Sequence, residues 1–323
     1  MNVPGRLVVI LGPTASGKSA LGIRLAQKLA GEVVVCDSTQ VYRRFNIGTA
    51  KISESERHGI PHWMMDIVEP ADVFTAGDYR HRAEEVLRDI HARGRIPIVT
   101  AGTGLYLRAL LEGLADAPAR SEELRTRLRH SAKRSGAEHL HRMLWRLDPD
   151  TAARIGERDT QKIIRALEMR FLTKKPVGAI HAQGRDPLKG FTPVKIGLHP
   201  PRAALYARIE KRVHEMFDAG WPAEVRELLR AGVPPEAKPF TFIGYREILA
   251  RYPGESNESK RGSADIKLDP AELKLEETIL EIQKATRQFA KRQLTWFRKE
   301  PNVHWLESFG DNPAVETQAL ALL

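Results

Sequence analysis

The chain has 323 residues, 42% of them hydrophobic and 28% charged, enough for one large domain or for a core with a smaller lobe. No apolar run approaches the roughly 20 residues of a membrane-spanning helix, so no membrane partner is expected. A formal net charge of +10 points to a polyanionic partner, and the single cysteine, Cys36, excludes an internal disulfide and suits a reducing cytoplasm.

In chain order, Leu7 to Leu11 form an apolar run that predicts a buried strand rather than a signal peptide. The strand leads into GPTASGKS, in which Gly12, Pro13, Thr14, Ala15, Ser16, Gly17, Lys18 and Ser19 fit the P-loop spacing. Leu21, Leu25 and Leu29 predict a helix over Ser16 to Ala30, stopped by Gly31. In such a loop backbone N–H groups turn onto phosphate oxygens at a helix N-terminus, Lys18 adds a mobile positive charge, and Ser19 offers a hydroxyl to Mg²⁺. The loop holds a phosphate without naming the molecule that carries it.

Glu32 to Val35 predict a second strand that ends in DSTQVY. Asp37 then stands at the carboxyl edge of the sheet, where α/β folds bind ligands, although a turn-capping Asp would occupy the same place. A helix is predicted over Ala76 to Arg93, and a third strand over Ile96 to Thr100, whose loop brings Gly102, Thr103 and Gly104 to the same edge. This third strand lacks the Asp with which P-loop kinases and ATPases usually help to hold Mg²⁺, a duty that would fall to Asp37. A hydrolase is therefore disfavoured, while a small kinase stays open.

Residues 116–185 show no convincing strand and read as an inserted helical lobe, with 1–115 and 186–323 as the two parts of the core. Residues 120–175 hold 15 Lys and Arg against 8 Asp and Glu. Val194 to Leu198 predict a fourth strand, after which the chain reads as mostly helical. Leu205, Ile209, Val213 and Phe217 mark one helix face and leave Arg208 and Arg212 together on another. Residues 253–270 are polar and aperiodic, a surface excursion with no function assigned. Residues 284–299 hold six basic residues and no acidic one, a second patch suited to nucleic acid. The alternation of strands and helices gives an α/β fold: a P-loop NTPase-like parallel sheet flanked by helices, with an inserted all-helical lobe.

The stretches GPTASGKS, DSTQVY, GTGLYLRALLEG, DTQKIIRALE, FIGYRE and AKRQLTWFR occur in the order seen in tRNA dimethylallyltransferases, and the chain resembles that family from about Leu7 to about Trp305. It departs from the family pattern at Ala101, where a glycine is frequent, and in a longer excursion at 253–270; neither change removes a reactive group. The resemblance implies transfer of a dimethylallyl group from its diphosphate to the exocyclic amine of an adenosine beside the anticodon of tRNA. The P-loop would then hold a diphosphate that is expelled, with Mg²⁺ near Ser19. Arg208 and Arg212 suit either a diphosphate clamp or surface ion pairs.

By the same resemblance Asp37 takes the amine proton and Thr103 hydrogen-bonds the departing oxygen. Ser38, Thr39 and Gln40 sit where the edges of a flipped-out adenine are read. Contacts to tRNA are implied for Arg125, for Gln161, Lys162, Ile163, Ile164 and Arg165, and for Thr241, Phe242, Ile243, Gly244, Tyr245 and Arg246. A monomer is expected. The competing readings are a nucleoside or nucleotide kinase on the same scaffold and a nucleic-acid-binding module whose P-loop only switches conformation.

Overall fold

In the computed structural model the described residues are 4–115, 117–182, 184–251 and 275–323; the excursion expected at 253–270 lies outside them. The apolar run after Pro4 forms β1 (Gly5–Leu11), in which every residue but Arg6 is buried. Its neighbours follow the same logic: β2 (Gly31–Cys36) is buried throughout, and β4 (Ile96–Ala101) from its second residue onward. Strands covered on both faces read as continuous apolar runs, not as alternation, which is why sequence alone finds them.

The elements run β1, α1 (Lys18–Leu29), β2, β3 (His62–Trp63), α2 (Ala76–Ala92), β4, α3 (Gly104–Glu112), then five helices, α4 (Glu122–Ser135), α5 (Ala137–Leu147), α6 (Pro149–Ala152), α7 (Thr160–Thr173) and α8 (Val177–Ala182). They continue through β5 (Phe191–Leu198), α9 (Arg202–Asp218), α10 (Trp221–Arg230), α11 (Tyr245–Leu249), α12 (Leu275–Phe297), β6 (Val303–Leu306) and α13 (Pro313–Leu320). The six strands form one parallel sheet in the order β3-β2-β4-β1-β5-β6. β1 lies at its centre, with Val8 opposite Ile98 on one side and Val194 on the other.

Two of these strands escape the sequence reading. β3 has two residues and β6 has four, both at sheet edges, and β6 adds one short strand to a C-terminal part that is otherwise mostly helical, as expected. Such short strands carry almost no periodicity; pairing with β2 and β5 holds them. The end of the first helix is also corrected. Ala30, not Gly31, takes the left-handed cap conformation at φ 48, and Gly31 already belongs to β2.

Val8 and Ile10 of β1 join Val33 and Val35 of β2 and Ile98 of β4 in a core sealed by Leu21 and Leu25 of α1 and by Val315 and Ala319 of α13. The alternate residues Leu7, Val9 and Leu11 are equally buried on the other face, as a period of two demands. α2 starts at a capping box: Thr75 Oγ1 accepts from Asp78 N–H, and the Asp78 carboxylate accepts from Thr75 N–H.

By backbone contacts the chain divides into a first unit, Met1–Leu110 with Lys189–Leu323, and a second, Leu111–Leu188. The second unit is helical, with a core of Leu128, Leu140, Leu144, Ile163 and Leu167. Glu168, fully buried there, receives Arg125 through two hydrogen bonds of 2.8 and 2.7 Å and Arg165 through one of 2.5 Å. Burial alone would raise its pKa, but the two guanidinium groups hold it at about 2.

Candidate active site

The P-loop folds as its residue types dictate. Gly17 adopts φ 88, and a Cβ built there would stand 2.8 Å from the backbone nitrogen of Gly310, so only glycine fits. Ala15 also lies in the left-handed region, at φ 64, a conformation that a non-glycine residue adopts at a cost. Ser16 Oγ is buried without a hydrogen-bond partner among the described residues. Lys18 Nζ donates to Pro13 O at 2.7 Å.

A cavity of about 870 Å³ opens beside this loop, and every residue lining it belongs to the first unit. Thr14, Ala15, Gly17, Lys18 and Ser19 line one part of it; Asp37, Ser38, Thr39 and Gln40 from the end of β2 line another. Gly102 reaches it from the end of β4, Arg208 and Arg212 from α9, and Thr241, Phe242, Ile243 and Arg246 from the segment before and at the start of α11. Five loops and helices far apart in the chain thus meet at the carboxyl edge of one sheet, as open α/β folds require.

The structure separates the two arginines of α9. Arg208 is tied to Asp311 by two hydrogen bonds of 2.8 and 3.1 Å and lies over the Phe309 ring, so at rest it is an ion-pair residue. Arg212 has no carboxylate partner among the described residues. One of its terminal nitrogens donates to Thr14 Oγ1 at 2.6 Å, and its Nε is buried and unsatisfied. Burial lowers Arg212 to about 10 and Lys18 to about 8; the Asp37 charge opposes both shifts, and Arg212 adds to the shift at Lys18. Two partly desolvated cations and a hydroxyl without a partner among the described residues stand around one loop, a setting that favours binding of an anion.

Asp37 is set for the opposite task. Its Oδ1 accepts from the Thr39 N–H at 2.8 Å and the Thr39 hydroxyl at 2.7 Å. Oδ2 lies against Gly102, where a Cβ would stand 2.4 Å away, so the glycine is what leaves room for the carboxylate. Thr103 lies outside the lining of the cavity: its Oγ1 accepts from Ser38 N–H at 2.9 Å and is 3.2 Å from Ser38 Oγ, which pins the turn that carries Asp37. Gln40 spends its amide N–H₂ on Thr49 O and Ala50 O.

Several expected tRNA contacts are closed. Tyr245 is fully buried, its hydroxyl donating to Glu224 at 2.5 Å and accepting from Gly48 N–H at 3.1 Å, and Gly244 is covered by the Trp221 ring. Ile163 and Ile164 belong to the core of the helical unit, because the helix face that carries Leu167 carries them too. Gln161 and Lys162 are exposed, whereas Arg125 and Arg165 are committed to Glu168.

Sequence reasoning missed the contribution of α12: Ile282, Thr286, Phe289 and Gln293 all line the cavity. Their spacing of four, three and four residues marks one helix face, a signal present in the sequence but masked by the basic run around it. Trp221, Val213 and Met216 line the same cavity and give it apolar wall beside its charged residues.

Residues 40–300 match the family model described as IPP transferase. The chain is 47% identical to a tRNA dimethylallyltransferase of Solibacter usitatus, covering 97% of this chain and 96% of the relative. Among solved structures, the full-length tRNA isopentenylpyrophosphate transferase of Bacillus halodurans matches at 34% identity with a TM-score of 0.67, covering 98% of this chain and 94% of that one. A eukaryotic dimethylallyltransferase acting on tRNA matches at 27% identity with a TM-score of 0.79, covering 98% and 78%.

Proposed function

The chain belongs to the IPP transferase family of tRNA dimethylallyltransferases, and on that premise we propose how its cavity performs the reaction. The enzyme moves a dimethylallyl group onto tRNA: the allylic carbon–oxygen bond of dimethylallyl diphosphate breaks, a bond forms from that carbon to the exocyclic amine of the adenosine beside the anticodon, and diphosphate leaves. The kinase and switch readings of the P-loop give way to this one.

The observation that carries the mechanism is the coexistence, in one cavity, of the partly desolvated cations Lys18 and Arg212 with the carboxylate of Asp37, whose Oδ2 accepts no hydrogen bond among the described residues. As the carbon–oxygen bond breaks, negative charge gathers on the diphosphate. The P-loop N–H groups, Ser16 Oγ, Lys18 and Arg212 then bind it more strongly than they bind the intact substrate, which is what lowers a barrier. Arg208 joins them by leaving Asp311. Val213, Met216 and Phe289 exclude water from the five-carbon group, which would otherwise be captured as an alcohol.

The adenine amine is a weak nucleophile because its lone pair is delocalised into the ring. Asp37 takes its proton as the new bond forms, a contribution of about 10²–10⁴-fold. Thr39 binds that carboxylate and Thr103 pins the turn that carries it; Thr103 becomes the donor to the departing oxygen by turning its hydroxyl away from Ser38. No group of three or more His, Cys, Asp or Glu side chains among the described residues could hold a metal. Ser19 would hold a Mg²⁺ that enters with the diphosphate, and the ion would supply charge neutralisation on the leaving group. The exposed Gln161 and Lys162 of the helical unit and Arg246 at the cavity contact tRNA.

The test is mass spectrometry of nucleosides from tRNA incubated with the protein and dimethylallyl diphosphate. Adenosine heavier by one five-carbon unit, with diphosphate released in equal amount, is the expected product. Release without modified adenosine would show a diphosphatase instead.

A further inference from the structure

Gln293 sits on the cavity-facing side of α12, 6% exposed, and both ends of its amide are used. Its Oε1 accepts from the backbone N–H of Thr14 in the P-loop at 2.7 Å, and its Nε2 donates to the carbonyl of Gly102 in the loop after β4 at 2.7 Å. One donor and one acceptor are required on one side chain, and they face a backbone acceptor and a backbone donor. Glutamate could satisfy Thr14 but would meet the Gly102 carbonyl with like polarity, and asparagine is a methylene too short to span both.

Each partner carries a reacting element. Thr14 holds Arg212 through its hydroxyl, and Gly102 is the backbone against which Asp37 Oδ2 rests. The two loops follow the paired strands β1 and β4, whose ladder ends with Leu11 opposite Ala101; beyond that point Gln293 links Thr14 to Gly102. We propose that Gln293 is a positioning residue for the transfer: by joining Thr14 to Gly102 it fixes the distance between the leaving-group cradle and the carboxylate that takes the amine proton. The inference rests on the transfer mechanism proposed above. Its physical basis is that a displacement of about 1 Å between reacting groups costs about 10²-fold in rate.

The experiment uses the full chain, tRNA and dimethylallyl diphosphate, with Gln293→Leu, the near-isosteric Gln293→Glu, and each combined with Asp37→Asn. Both single variants should lose about 10- to 100-fold in single-turnover rate at saturating substrates; with Gln293→Leu the affinities for tRNA and for the diphosphate should change less than about threefold, while the carboxylate of Gln293→Glu should also weaken diphosphate binding. In the Asp37→Asn background the same changes should cost less than about threefold, because the group being positioned no longer acts. Gln293→Glu carries the test if Gln293→Leu proves unstable. Wild-type rates in both variants, or a loss of full size that persists without Asp37, would overturn the positioning role. A wild-type chain that makes no modified adenosine would instead overturn the transfer reading itself.

Discussion

Raising the pH should strip the P-loop of its mobile cation within a range that few lysines reach. Desolvation lowers Lys18 from 10.5 to about 8, the Arg212 charge adds to the shift, and Asp37 opposes it. About nine-tenths of Lys18 is then charged at pH 7 and about one-tenth at pH 9, so affinity for the diphosphate should fall about tenfold over that interval, or about 1.4 kcal/mol. The substrate's own phosphate ionises near pH 6 and contributes no limb above neutrality, judged from phosphate esters with a second pKa of about 6. Arg212, lowered only to about 10, is still about nine-tenths charged at pH 9.

Calorimetric titration of dimethylallyl diphosphate without tRNA, between pH 7 and 9.5, reads this directly. At pH 8 binding should also take up about half a proton, visible as a dependence of the measured heat on the buffer's ionisation enthalpy. Lys18→Arg should bind with a flat profile. The same burial has a sign for stability. Lys18 titrates lower in the folded chain than in the unfolded one, so its charge costs stability below pH 8, and the cost fades as the pH rises toward 10.5. Lys18→Met should therefore bind the diphosphate poorly yet resist urea better at pH 7, by about 1–3 kcal/mol. Affinity that is flat from pH 7 to 9 in the wild type, or an identical limb in Lys18→Arg, would refute the assignment.

Asp37→Asn should lower the single-turnover rate by about 10²-fold or more while tRNA and diphosphate still bind, as measured by quench-flow and filter binding; wild-type chemistry in the folded variant would remove the general base. Gly102→Ala puts a methyl group 2.4 Å from Asp37 Oδ2, so kcat should fall with little change in diphosphate affinity. Arg125→Ala leaves buried Glu168 with fewer partners and should destabilise the helical unit by about 3–5 kcal/mol, read as faster amide exchange over residues 121–170; any weakening of tRNA binding would then follow from unfolding. Because Glu168 is held at about 2 against an ordinary 4.5, its share of the helical unit's stability is complete above about pH 4.5 and is lost toward pH 2.

The four inner strands, the P-loop and the placing of Asp37 at a sheet edge were legible in the sequence, because each is a local property. A strand buried on both faces is a short run of Val, Ile and Leu, and a phosphate loop has fixed residue spacing. The edge strands β3 and β6 were not legible, since runs of two and four residues gain their order from a neighbour rather than from themselves. The fates of the cations were hidden as well. Arg208 and Arg212 are one helical turn apart and alike on paper, yet the loop that follows β6 brings Asp311 to the first and leaves the second with no carboxylate among the described residues. Gln293 is likewise silent in sequence, 279 residues from Thr14 and 191 from Gly102, and its role exists only where the three meet. Periodicity and propensity report what a residue does with its neighbours in the chain. Which buried donor, acceptor or charge finds a partner is decided by segments that approach only on folding, and at this site the groups left unsatisfied are the ones to which the proposal gives the binding.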